Sequence, residues 1–129
     1  MEKLSSSMEN YLKAIYYICD YRSTARVSEI AAKMGVSKAS ASKAVSILES
    51  RGLVRRSHDR ALSLTPEGLR HAELISNRHK IIKTFFSVIL NVTPSVADSD
   101  ACNFEHAISL ESLQSMCRYL ENSKINLYK

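Results

Sequence analysis

Cys102, Glu105 and His106 offer a sulfur, a carboxylate and an imidazole at spacings i, i+3 and i+4. On an α-helix that spacing gathers them on one face within reach of a single ion, and a mixed S, O and N donor set suits a divalent transition metal. His79 falls on an apolar stripe, where an uncharged imidazole needs either a hydrogen-bond partner or a metal. Each residue also has an ordinary reading: a satisfied core histidine, a small buried thiol, an ion pair between Glu105 and His106. Taken together, the four point to a divalent metal site. A catalytic metal would need an open coordination position beside acid or base groups. No hydrolase or oxidoreductase motif accompanies the cluster, so the chain reads as a non-enzyme without a small organic substrate.

A second chemistry is carried by charge. The net charge is +5, and residues 33–60 hold seven basic side chains against two acidic ones, while the remainder of the chain is balanced. A neutral body with one basic patch is the electrostatic footprint of a nucleic-acid contact, although a solvated charged face has the same composition. The patch coincides with a helix-turn-helix pattern. Ser37 can cap a helix beginning at Lys38 that buries Ala41, Ala44, Val45 and Leu48 and presents Ala39, Ser42, Lys43, Ser46 and Ser50 on its other face. Small, hydroxylated and cationic side chains let a helix lie deep in the major groove. Arg55, Arg56 and Arg60, on the wing that two short strand-like runs form around a polar turn, would track the flanking backbone or the minor groove.

The elements that must position these residues can be read from caps and periodicity. Ser6 and Glu9 form a capping-box pattern ahead of a first helix over about residues 7–20. Ser28 can cap a short second helix, Glu29–Met34, ended by Gly35. The runs after Gly52 predict a β-hairpin wing. Thr65 and Pro66 start a long fourth helix, with Leu69, Ala72, Ile75, His79, Ile82, Phe86 and Ile89 on one stripe to about Leu90. Thr93 and Pro94 start a fifth helix to about Ala107, and Ser109 caps a sixth. The expected fold is mainly α: an N-terminal winged helix-turn-helix over 1–70, followed by an all-helical domain over 71–129 for dimerisation and metal binding. With no long apolar run, no signal peptide and three unpaired-looking cysteines (Cys19, Cys102, Cys117), the expected setting is the cytoplasm, with reduced thiols and no membrane contact.

These residues resemble the metal-dependent repressors typified by the diphtheria toxin repressor and the manganese regulator MntR. The matching segments are Ser7 to Leu12 with Ala14-Ile15-Tyr16, Arg26 to Ala31, Leu64 to Gly68, Arg78-His79, and Ala101-Cys102 through Glu105-His106 to Ser109. The resemblance implies a two-domain form without the SH3-like third domain of larger members. It implies a homodimer that binds double-stranded palindromic operator DNA and represses iron or manganese homeostasis genes. In such proteins Cys102, Glu105 and His106 would join a helix 1 residue, here Asn10, at the main regulatory site, and His79 would belong to a neighbouring one. Lys13 and Lys83 stand where relatives carry carboxylates. The implied cofactor is Fe2+ or Mn2+, with Zn2+, Co2+ and Ni2+ also accepting this donor set. The alternative is a winged-helix regulator that has lost metal control and is constitutive or thiol-responsive, with Cys102 as its sensor.

Overall fold

Ser5 opens the first helix. Its backbone is extended, and its Oγ accepts from the Met8 N–H at 3.1 Å, satisfying one of the N–H groups that every helix start leaves open. In the computed structural model, which describes residues 4–125, α1 runs Ser6–Arg22 and buries Tyr11, Leu12, Ala14 and Ile15. The expected cap at Ser6 is thus displaced by one residue, because Ser6 is already helical. The helix stops at Ser23, which lies in the left-handed region at φ 69° and returns its N–H to the Cys19 carbonyl.

Helix α2, Val27–Met34, begins earlier than a Ser28 cap would allow, since the Glu29 carboxylate accepts from the Arg26 N–H at 3.0 Å and leaves Ser28 inside the first turn. Gly35, at φ 68°, closes it. Helix α3, Lys38–Ser50, is capped by Ser37 as expected and buries Ala41, Ala44, Val45 and Leu48. The wing follows as β1, Val54–Arg56, paired antiparallel with β2, Leu62–Leu64, in the register Val54↔Leu64 and Arg56↔Leu62. Leu62 also exchanges both backbone hydrogen bonds with Ala25, so β2 is held on both edges. Helix α4, Pro66–Ser76, starts where Thr65 Oγ1 accepts from the Gly68 N–H and donates to the Gly52 carbonyl. Leu12, Ile15, Ile30, Val45, Leu48, Leu53, Leu62 and Ile75 form one buried cluster. These elements make up the first of two compact units, Met1–Ile75 and Ser76–Lys129.

The expected fourth helix to Leu90 is interrupted. Asn77, at φ −100° and ψ 4°, leaves helical geometry; α5 then runs Arg78–Thr84 and passes into one π-helical turn, Phe85–Ile89. Asparagine competes with the helix for backbone hydrogen bonds, while the apolar stripe persists across a one-residue break. Helix α6, Pro94–Phe104, ends short of Ala107. The Ala107 and Ile108 N–H groups both return to the Phe104 carbonyl, which turns buried Ile108 inward, and Ser109 then caps α7, Leu110–Asn122. Helix α5 packs against both α6 and α7, and α7 buries Leu113, Cys117 and Leu120. Among the described residues no helix is long and apolar enough to cross a membrane, and the three cysteines are free thiols.

Two predictions test this packing. A Cβ on Gly68 would lie 1.9 Å from the Leu53 carbonyl oxygen, so Gly68→Ala should cost about 3 kcal/mol through overpacking and lower the melting temperature by about 10 °C in a thermal melt. The Cys117 thiol, buried and bonded to Glu121, is raised from its ordinary 9.0 to about 11, first by desolvation and then by that carboxylate. Between those values the unfolded chain has lost a proton that the folded chain keeps. Stability from this group is therefore complete below about pH 9 and falls as pH rises through about 11. Urea midpoints across that window should fall more steeply for the wild type than for Cys117→Ala.

Candidate metal centre and nucleic-acid interface

The nucleic-acid face is built from the start of α2, the start of α3 and the wing. Ala39, Lys43 and Ser46 are exposed and Ser42 is half-buried, opposite the buried side of α3. A groove of about 470 Å³ is lined by Arg26, Ser28, Lys38, Ser42, Arg56 and Arg60. Both helix starts deliver free backbone N–H groups and positive dipole ends to anions. Two of the arginines are already engaged. Arg56 is only 28% exposed and pairs with Glu49 of α3 at 3.7 Å. Arg26 donates to the Asp59 carbonyl at 3.0 Å and faces the Asp59 carboxylate at 3.5 Å, which ties the wing tip to the segment ahead of α2. Hydrogen bonds from the Ser57 hydroxyl, and then from the Ala61 N–H, hold the Asp59 carboxyl below its ordinary range. Arg60 occupies the left-handed region at φ 67° at the tight end of the hairpin. Arg55, Lys38 and Ser37 are exposed. Arg26 and Ser28 are groove residues that sequence reasoning does not single out, because the Arg26 partner lies 33 positions away.

The second unit gathers a different set. His79 on α5 places Nε2 at 2.9 Å from Asp98 Oδ1, and its Nδ1 at 3.8 Å from Cys102 Sγ and 3.2 Å from Glu105 Oε2. His79, Asp98 and Cys102 each offer a ligand atom, all within 4.8 Å of one another. Glu105, 25% exposed, sits at the end of α6, where the Arg78 guanidinium donates to its carbonyl at 3.1 Å. Lys83, one turn along α5 from His79, faces the same Asp98 oxygen at 3.4 Å. The hydrogen bond from His79, and next the Lys83 ammonium, keep the Asp98 carboxyl below its ordinary value.

The structure thus brings His79, Cys102 and Glu105 together, and adds Asp98. His106 is 62% exposed in the turn after α6 and reaches Glu105 Oε1 at 3.4 Å rather than the cluster itself. Asn10 is exposed on α1 of the first unit. Asp98 was legible in principle: Asp98, Cys102 and Glu105 are spaced i, i+4 and i+7, one helix face. Imidazole, thiolate and carboxylate oxygens at these separations are a donor set that fits one divalent transition ion.

Comparison with known proteins agrees with both halves of this picture. Residues 3–62 match the model of the iron-dependent repressor N-terminal DNA-binding domain, and residues 65–128 match that of the iron-dependent repressor metal-binding and dimerisation domain. An uncharacterized HTH-type transcriptional regulator of Methanocaldococcus jannaschii is 29% identical over 94% of this chain and 98% of its own length. The HTH-type transcriptional regulator MntR of Listeria monocytogenes is 32% identical over 90% of this chain and 83% of its own. The structure of the manganese regulator SloR superposes with a TM-score of 0.58 at 28% identity, covering 92% of this chain and 55% of that one, so the chain spans about half that protein's length. A basic winged helix followed by a helical unit with a N, S and O donor cluster, matched in order by both domain models, places the chain in the iron-dependent repressor family of metal-dependent transcriptional regulators.

Proposed function

We propose that the chain is a homodimeric repressor of iron or manganese homeostasis genes, binding a palindromic operator in the cytoplasm when a divalent ion occupies the cluster around His79, Cys102 and Glu105. The observation that carries this reading is the His79 ring held among two carboxylates and a thiol within one family-matched unit. A bound dication would supply the charge that lets these anionic groups approach one another. The chain's own residues do the rest. Arg78 fixes the turn bearing Glu105, and the His79 hydrogen bond fixes Asp98. Differential affinity of a few kcal/mol between two arrangements is what such an ion must contribute to shift a population.

Self-association is supported by apolar side chains on the second unit: Val88, Leu90, Val96, Phe104 and Tyr119 are each about half exposed. Two copies related by a two-fold axis present two α3 helices to matching half-sites. A second reading, thiol control, is favoured by exposed Cys102, whose Sγ meets His79 Nδ1 while Asp98 holds the opposite ring nitrogen.

The test is anaerobic fluorescence anisotropy of a labelled DNA fragment from the region upstream of the gene, first in chelator and then with iron(II), manganese(II) or zinc(II). Tight binding should appear only with metal, and equal binding in chelator would overturn the proposal; loss of that binding on peroxide treatment would then establish the thiol reading. Lys43→Ala and Arg60→Ala should each weaken binding about tenfold and reduce the salt slope by about 1. His79→Ala and Cys102→Ala should leave metal-free binding as it is and remove the metal response.

A further inference from the structure

One imidazole can give a given ion only one nitrogen, and the two nitrogens of His79 face different chemistry. On the Nε2 side stand Asp98 Oδ1 at 2.9 Å and, against the same oxygen, the Lys83 ammonium at 3.4 Å. On the Nδ1 side stand Glu105 Oε2 at 3.2 Å and Cys102 Sγ at 3.8 Å. A carboxylate only accepts, so the Asp98 hydrogen bond requires a proton on Nε2, and in the neutral ring this leaves the Nδ1 lone pair facing the side of Cys102 and Glu105. We infer that Lys83 is a tethered cation that denies the Asp98 side to metal and thereby selects thiolate coordination through Nδ1.

The inference rests on the metal-centre reading and adds its selectivity. With Lys83 in place, Asp98 acts as a positioning residue: it holds the tautomer of His79 while His79, Cys102 and Glu105 provide N, S and O donors. A dication on the Asp98 oxygen would share that oxygen with an ammonium, and like charges held against one atom oppose each other. The thiolate side favours thiophilic ions such as cobalt(II), zinc(II) and iron(II). A site opened to Asp98 would be richer in carboxylate and would accept manganese(II) better. Lys83 lies on the partly exposed face of α5, so its replacement leaves the buried Ile81 and Ile82 untouched.

The experiment titrates the full-length wild type, Lys83→Met, and Lys83→Met combined with Asp98→Asn with cobalt(II) and with manganese(II), anaerobically, against a fluorescent chelator and by absorption spectroscopy. The wild type should show thiolate-to-cobalt charge transfer that Cys102→Ser abolishes. Lys83→Met should raise manganese affinity about tenfold and weaken the charge-transfer band, and Asp98→Asn in that background should cancel the manganese gain. Unchanged manganese affinity in Lys83→Met, or cobalt binding to the wild type without charge transfer, overturns the role of Lys83 while leaving the metal centre standing. Absence of cobalt binding to the wild type overturns the metal centre and this inference with it.

Discussion

The Leu53 carbonyl lies so close to Gly68 that no side chain fits between them, and the wing is hung from this point. Thr65 sits across the same junction, with its N–H bonded to the Leu53 carbonyl and its hydroxyl to the Gly52 carbonyl. The residue that caps α4 therefore also closes the loop that leaves α3. Between these fixed ends the hairpin has little freedom, and the Ala25 bridge to Leu62 holds its second strand from the other side. A two-stranded ribbon is marginal alone in water. Here it gains its register from backbone contacts at both ends and a buried Leu62.

That anchoring explains how the basic charge is used. Surface ion pairs contribute little to stability, so Arg26 with Asp59 and Arg56 with Glu49 matter chiefly as geometric ties between the wing, α2 and α3. Among the described residues Lys38, Lys43, Arg55 and Arg60 make no side-chain ion pair, and their charges remain uncompensated at short range. Within the basic window read from composition, Arg56 thus shapes the groove while Lys38, Lys43, Arg55 and Arg60 give it its field, and Arg26 adds a second tie from outside the window.

Capping chemistry made most of the fold legible. Thr65-Pro66, Thr93-Pro94, Ser37 and Ser109 each open a helix, and Gly35 closes one, because these residues satisfy or release terminal backbone groups by short-range rules. Ser6 and Ser28 mislead because a neighbouring residue serves instead: the Ser5 hydroxyl, and the Glu29 carboxylate bonded to the Arg26 N–H. The break at Asn77 is hidden because one non-helical residue barely shifts the phase of the stripe from Ile75 to Ile82. The end of α6 is set by the burial of Ile108, a tertiary demand that no spacing of Cys102, Glu105 and His106 reveals. For the same reason the partners of His79 could be narrowed to a helix face by i, i+4, i+7 spacing, but the choice of Asp98 over His106 waits on where the helix stops.

The charge order around His79 gives the candidate centre its character. Asp98 lies between His79 and Lys83, and Glu105 lies between His79 and His106, so each carboxylate already has nitrogen-bearing partners before any ion arrives. A site of bare, preassembled anions would bind a dication tightly and hold it. A site whose anions already hold polar partners must give up those contacts first, and the net affinity is the difference. A smaller net affinity leaves a bound ion freer to exchange with solution. Incomplete, pre-paired ligation is therefore the arrangement suited to reporting an ion rather than storing it.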